Sequence, residues 1–311
     1  MENNEDKNIT KIGSLCINSR VSLAPMAGIT DYVLRQVVRE YSKDCLLTTE
    51  MISSEALIQG LKCKKGYPTG LKTIIKRDEK QSPIAYQLSG HKPQLMYDAA
   101  MFLKGYADII DINMGCPVNK VVKGNDGSAL MRTPELASDL VKAVKSAVDC
   151  PVSVKFRLGY TQDEINFVEF GQKMQEAGAD FITIHGRTRS QMYSGKADWE
   201  SIKKLTQNID IPVFANGDIK SIDDAQKCLE QSGAHGIAIA RGILSDVTLI
   251  HRIDYYLKTG IKLEKLPLRQ NICVLKEIID KEIELRGEAV GIKFCRKYYP
   301  FDINGFKNAV K

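Results

Sequence analysis

The chain has no apolar run approaching the roughly 20 residues that a membrane-spanning helix needs, so a soluble protein is expected. Residues Met1 to Asn8 are polar and acidic rather than basic and then apolar, which argues against a secretory signal and for a cytoplasmic location. Its eight cysteines, at 16, 45, 63, 116, 150, 228, 273 and 295, include no Cys-x-x-Cys pair. Zinc knuckles, iron–sulfur clusters and a disulfide framework therefore lack their spacing, no metal site is expected, and most of these thiols read as small buried hydrophobes. No Gly-x-Gly-x-x-Gly follows any predicted strand, so an open dinucleotide-binding sheet lacks its phosphate turn.

What is present is an alternation. Eight short runs rich in β-branched residues stand at 21–24, 46–49, 83–88, 108–112, 152–155, 181–184, 212–215 and 236–240. Amphipathic helical patterns separate most of them, the clearest at 31–41, 94–104, 134–148, 163–177, 199–207 and 222–232, whereas 50–82 is less regular. Strand then helix, repeated eight times over about 250 residues, predicts a (β/α)8 TIM barrel. Beyond Gly260 the pattern changes. Ile272, Leu275, Ile278, Ile279 and Ile283 fall at helical spacing with no strand between them, which predicts a small C-terminal all-helical domain. The expected division is a barrel over 1–255 and a helical domain over 256–311. Residues 260–311 hold 11 Lys and Arg against 7 Asp and Glu, +4 of the chain's +6, and a basic tail suits a polyanionic partner.

A barrel of this kind carries its chemistry at the carboxyl ends of its strands. The first run ends in Pro25-Met26-Ala27-Gly28, the second in Glu50-Met51, the third delivers Gln87, and the fourth Asn113 and Cys116. The fifth gives Lys155 and Arg157, the sixth His185-Gly186-Arg187-Thr188-Arg189, the seventh Asn216-Gly217-Asp218, and the eighth Ala240-Arg241-Gly242. The two Gly-containing turns after the last strands suit a phosphate monoester, with Arg241 as countercharge. Gln87, Lys155 and His185 form a donor-rich set suited to a flat heteroaromatic ring with carbonyls, where Lys155 can stabilise negative charge on a reduced ring. Cys116 sits in a Gly/Pro turn directly after a strand. Thiols ordinarily titrate near pH ~8.5, so a proton donor is the simpler role; a nucleophile would need a base such as His185 brought close in space.

The blocks Ala24-Pro-Met-Ala-Gly-Ile-Thr-Asp31, Tyr86-Gln-Leu-Ser-Gly90, Asp111-Ile-Asn-Met-Gly-Cys-Pro117, Val154-Lys-Phe-Arg157, Ile184-His-Gly-Arg-Thr-Arg189 and Asn216-Gly-Asp-Ile219 resemble the tRNA-dihydrouridine synthase family, its bacterial B-type branch most. The resemblance runs in family order over essentially the whole chain. It implies an FMN enzyme that reduces one uridine of tRNA with NADPH. Pro25, Met26 and Ala27 would pack on the flavin; Gln87, Lys155 and His185 would hydrogen-bond its ring; Asn216, Gly217, Asp218, Ala240 and Arg241 would hold its ribityl phosphate. Asn113, Arg157 and Arg187 would meet the flipped uracil or its phosphate, hydride would pass to C6, and Cys116 would protonate C5. Lys262, Lys265, Arg269, Lys293, Arg296 and Lys297 are candidate tRNA phosphate contacts, and Arg296-Lys297-Tyr298-Tyr299 carries tyrosine where many relatives have histidine. Two rivals stand beside this reading: a dihydroorotate dehydrogenase-like flavin barrel acting on a free pyrimidine, and a tRNA-binding barrel without catalysis.

Overall fold

The computed structural model describes residues 8–63 and 69–298. Two short antiparallel strands come first, β1 (Thr10–Ile12) and β2 (Leu15–Ile17). The eight predicted runs follow in order as strands of one parallel sheet: β3 (Val21–Leu23), β4 (Leu47–Thr48), with β5 (Ile52–Ser53) as its continuation, β6 (Ile84–Ser89), β7 (Ile109–Met114), β8 (Val152–Arg157), β9 (Phe181–His185), β10 (Val213–Asn216) and β11 (Gly236–Ile239). Neighbours run β3-β11-β10-β9-β8-β7-β6-β4. The ring closes where the Leu23 N–H donates to the Leu46 carbonyl at 2.8 Å beside a parallel Ser22–Leu46 bridge. Among the described residues this is an eight-stranded TIM barrel.

Helices cover its outside: α1 (Tyr32–Tyr41), α2 (Ser54–Lys62), α3 (Thr69–Ile74), α4 (Pro93–Leu103), α5 (Asn119–Val122), α6 (Pro134–Ala147), α7 (Phe167–Glu176), α8 (Trp199–Thr206), α9 (Ile222–Ser232) and α10 (Leu249–Thr259). Their starts follow from local chemistry. Asp31, Ser53, Asp198 and Ser221 accept hydrogen bonds from backbone N–H groups of the first turns of α1, α2, α8 and α9, and Pro93 and Pro134 occupy first-turn positions of α4 and α6. The irregular stretch 50–82 holds β5, α2 and α3.

Two apolar layers result. Ile110, Ile112, Val152, Val154, Ile182 and Ile184 face outward onto the helices, while a smaller inner layer of Ile12, Ile17, Leu46, Ile109, Phe181 and Phe214 fills the barrel, with Phe181 edge-on to Phe214 at 4.8 Å. Ile12 and Ile17 join that inner layer from the β1–β2 hairpin.

Helix α10 runs across residue 255 and ends at Gly260, whose φ of +74° is the left-handed cap that glycine tolerates. The expected break at 255/256 therefore falls inside a helix whose apolar face, Leu249, Ile250 and Ile253, is still packed on the barrel. Helices α11 (Leu268–Arg286) and α12 (Glu288–Cys295) follow. Val274, Leu275 and Ile278 of α11 are buried in the same core cluster as Leu34, Val37 and Val38 of α1, so the tail shares its core with the barrel. No helix among the described residues is long and apolar enough to cross a membrane.

Candidate active site

Strand alternation places polar residues inside and apolar ones outside, and the parallel register stacks them in layers. Gln87 pairs with Asp111 and Asp111 with Ser153; Asn113 pairs with Lys155; Arg157 and Asn216 both pair with His185. Above these layers a cleft of about 410 Å³ opens at the carboxyl ends of the strands. Pro25, Met26, Ala27, Gln87, Asn113, Cys116, Lys155, Arg157, His185, Asn216, Gly217, Asp218, Ala240 and Arg241 all line it. Arg187 does not.

A hydrogen-bonded relay builds the Cys116 turn. Ser153 donates to one oxygen of buried Asp111 at 2.6 Å, and the Gln87 amide donates to the other at 2.7 Å. The Gln87 carbonyl oxygen accepts from Asn113 at 2.8 Å, and the Asn113 carbonyl oxygen accepts the backbone N–H groups of Gly115 (3.2 Å) and Cys116 (2.9 Å). The Cys116 carbonyl accepts from Ser128 through its N–H (3.1 Å) and its hydroxyl (2.9 Å). Gly127, at φ +60°, permits that approach: a Cβ there would lie 2.8 Å from the Cys116 carbonyl oxygen. Cys116 is a free, half-buried thiol presented to the cleft by a rigid turn.

Across the cleft, burial and the Arg157 charge pull the Lys155 ammonium down to about 8. Burial, with Arg157, Lys155, Arg187 and Arg241 around it, holds His185 well below the ordinary imidazole range, so this histidine is neutral. The Arg187 guanidinium, which can only donate, lies 3.2 Å from His185 Nε2; that nitrogen is the acceptor, and the ring proton sits on Nδ1.

This is where Arg187 works. Its side chain is 1 % exposed and donates to the Ser194 and Gly195 carbonyls at 3.0 and 2.7 Å and to Asp218 at 2.5 Å. Expected at the substrate, Arg187 lies instead behind His185, where its guanidinium is engaged by the wall of the cleft. Asp218, in a left-handed conformation at φ +57°, accepts from Arg187 and from the Ala197 N–H on one carboxylate oxygen, and its other oxygen lies 3.7 Å from the Arg241 guanidinium. Gly217 beside it has φ +121°, and a Cβ there would lie 2.8 Å from the His185 ring.

Arg157, 2 % exposed, is kept charged with its pKa lowered by burial to about 10. Its Nε and Nη1 hold the Gly115, Thr188 and Met192 carbonyls at 2.7–2.9 Å. Sequence reasoning missed Tyr193, which stands half-exposed at the mouth with the Arg157 and Arg241 guanidinium groups 5.8 and 5.0 Å from its ring centre. An aromatic residue two positions before Gly195, in the loop after a strand end, was the available signal. The tail's cations are less free than expected. Lys262 pairs with Asp223, and Lys297 pairs with Asp31, whereas Lys265, Arg269, Lys293 and Arg296 are exposed. Tyr299 lies outside the described residues.

Known proteins with this pattern agree among themselves. The sequence profile described as dihydrouridine synthase matches residues 22–310. The probable tRNA-dihydrouridine synthase 1 of Synechocystis is 41 % identical over 300 residues, covering 96 % of this chain and 82 % of that protein. The tRNA-dihydrouridine synthase B of Shewanella oneidensis is 37 % identical over 289 residues, covering 93 % and 87 %. Among solved structures, an old yellow enzyme homologue from Zymomonas mobilis superposes with a TM-score of 0.55 at 12 % identity over 82 % of this chain and 93 % of that one, a likeness of fold. With a family profile spanning nearly its whole length and relatives above a third identical end to end, the chain belongs to the dihydrouridine synthase family.

Proposed function

We propose that this chain is a flavin-dependent oxidoreductase that reduces the C5–C6 double bond of a uridine in tRNA, with FMN held in the barrel mouth and NADPH as reductant. The observation that carries the reading is one cleft in which a free thiol faces a lysine, a glutamine and a neutral histidine delivered by separate strands. A cleft of about 410 Å³ is within the range of small-molecule sites, roughly 300–1,000 Å³. Pro25, Met26 and Ala27 offer an apolar lip to a flat ring, and Gly217 leaves the backbone open where any side chain would strike His185.

When bound, FMN supplies the two-electron chemistry, a hydride equivalent taken from NADPH and delivered to uracil C6. The chain supplies the rest. Lys155 is largely protonated at neutral pH and favours negative charge beside it; Gln87 and the Nδ1–H of His185 donate to ring carbonyls or nitrogens. Asn216, Gly217, Asp218, Ala240 and Arg241 hold the ribityl phosphate. Cys116 donates the proton that completes C5, held in place by Asn113, while Arg157 closes the same wall. A uridine stacked in tRNA cannot reach a floor inside a barrel, so the base must be flipped out, and the exposed Lys265, Arg269, Lys293 and Arg296 of the tail supply cations for its phosphates. The division between catalytic barrel and tRNA-gripping tail falls at Gly260, and the setting is the cytoplasm, where tRNA is found.

Reconstitution tests the reading. Chain purified with FMN is expected to be yellow, to be bleached by NADPH, and to form dihydrouridine in tRNA from cells lacking the gene. A chain that stays colourless with added FMN overturns it, and one that reduces a free pyrimidine but not tRNA moves it to the dihydroorotate dehydrogenase-like alternative.

A further inference from the structure

The tail and the cleft meet at one loop. Residues 25–31 leave β3 in a tight turn: the Met26 N–H donates to the Thr30 hydroxyl, and the Ile29 and Thr30 N–H groups donate to the Met26 carbonyl, all at 3.0 Å. Met26, Ala27 and Ile29 of this turn line the cleft. Gly28, at φ +72°, is gripped from both sides. Its N–H donates to the Glu50 carboxylate of the barrel, and its carbonyl accepts from the Lys297 ammonium of the tail. Tyr298 donates through its hydroxyl to the Ile29 carbonyl at 3.3 Å. Asp31, fully buried, ends the loop: one oxygen caps α1 through the Leu34 N–H at 2.9 Å, and the other accepts from Lys297 at 3.0 Å.

Lys297 is aimed inward. Its ammonium lies 3.4 Å from the Phe294 ring centre, and its side chain is 22 % exposed, a posture for holding a carboxylate and a carbonyl rather than for reaching a phosphate. We propose that Lys297 and Tyr298 are positioning residues of the tail that latch the Pro25–Asp31 loop, and that through this loop the helical tail sets how tightly the cleft holds its cofactor. The latch couples the part of the molecule that grips the substrate to the wall on which the ring packs. Its cofactor readout rests on the flavin reading; the latch itself does not.

The test uses the full chain with Lys297→Met and, separately, Tyr298→Phe, which removes one hydroxyl and leaves packing in place. Three quantities are read: amide hydrogen exchange of residues 28–30 without cofactor, with strand 181–185 as the internal control for folding; the FMN dissociation constant; and the slope of log tRNA affinity against log salt. Expected for Lys297→Met are exchange about 10-fold faster at 28–30 with the control strand unchanged, FMN held about 10-fold more weakly, and an unaltered salt slope; Tyr298→Phe gives the same pattern in smaller measure. Unchanged exchange and FMN affinity with a salt slope reduced by about one would assign Lys297 to a tRNA phosphate and overturn the proposal. Faster exchange at 28–30 in a protein whose wild-type form binds no FMN keeps the latch and overturns the flavin reading instead.

Discussion

The Cys116 turn is held by hydrogen bonds that start on the barrel strands. The Ser153–Asp111–Gln87–Asn113 relay ends on its N–H, and Ser128 holds its carbonyl, so the thiol is presented by a turn with few ways to move. Cys116→Ala is expected to keep the bound flavin and its bleaching by NADPH while losing roughly 10²–10⁴-fold in dihydrouridine formation, the range for one general acid. Stopped-flow bleaching beside product quantification in tRNA checks this; full product formation by the variant removes the acid assignment. Lys155 makes a pH prediction. With its ammonium lowered to about 8, the positive charge that Lys155 brings to the cleft is lost as pH rises through that value. Bleaching by NADPH, a step in which Cys116 takes no part, is expected to slow above pH 8 in the Cys116→Ala background, and Lys155→Met is expected to be slower but flat across the same interval. A slowing that persists in the double variant would place the titrating group elsewhere.

At the scale of elements, α11 buries an ionisable group beside the start of α1. Glu282 is fully buried; burial and the facing Asp31 carboxylate push it up to about 7 against the pull of Arg286, and one of its oxygens has no donor among the described residues. A carboxyl held above its ordinary 4.5 binds its proton more tightly folded than unfolded. The stability it contributes is therefore full in acid and is lost as pH rises from about 4.5 to 7. Glu282→Gln is expected to raise the thermal midpoint by about 3 °C or more at pH 8 and to change it little at pH 4.5. Equal shifts at both values would deny the titration. Elements differ in how readily they are read. The eight barrel strands and six of their helices follow from β-branched runs, caps and first-turn prolines. The β1–β2 hairpin does not, because three-residue strands are too short for a period of two to register.

Over the whole molecule, the tail is less separable than its sequence suggests. Burying Val274, Leu275 and Ile278 contributes about 1.5–3 kcal/mol each, and removing them also bares the α1 face beneath, a loss on the order of the 5–15 kcal/mol that holds an ordinary protein folded. A chain ending at Gly260 is expected to aggregate or to lose its cooperative melt, by size exclusion and circular dichroism. A truncated chain that melts like the full one would show the tail to be an independent module.

Much of this was determined by the sequence alone. Strand and helix periods specify the barrel, because burial of alternate or every third to fourth residue is a local property, and motifs at strand ends place Cys116, Lys155, His185 and Gln87 at one mouth. What tertiary structure decided is the partner of each charge. Arg187, expected at the substrate, gives its guanidinium to His185, Asp218 and two loop carbonyls, Asp218 gives one carboxylate oxygen to Arg187 and the Ala197 N–H, and Lys297, expected at a phosphate, holds Asp31, 266 residues away. A cation's type and position along the chain do not say which carboxylate or carbonyl it meets. That depends on contacts between distant segments, and only the folded chain brings them within hydrogen-bonding distance.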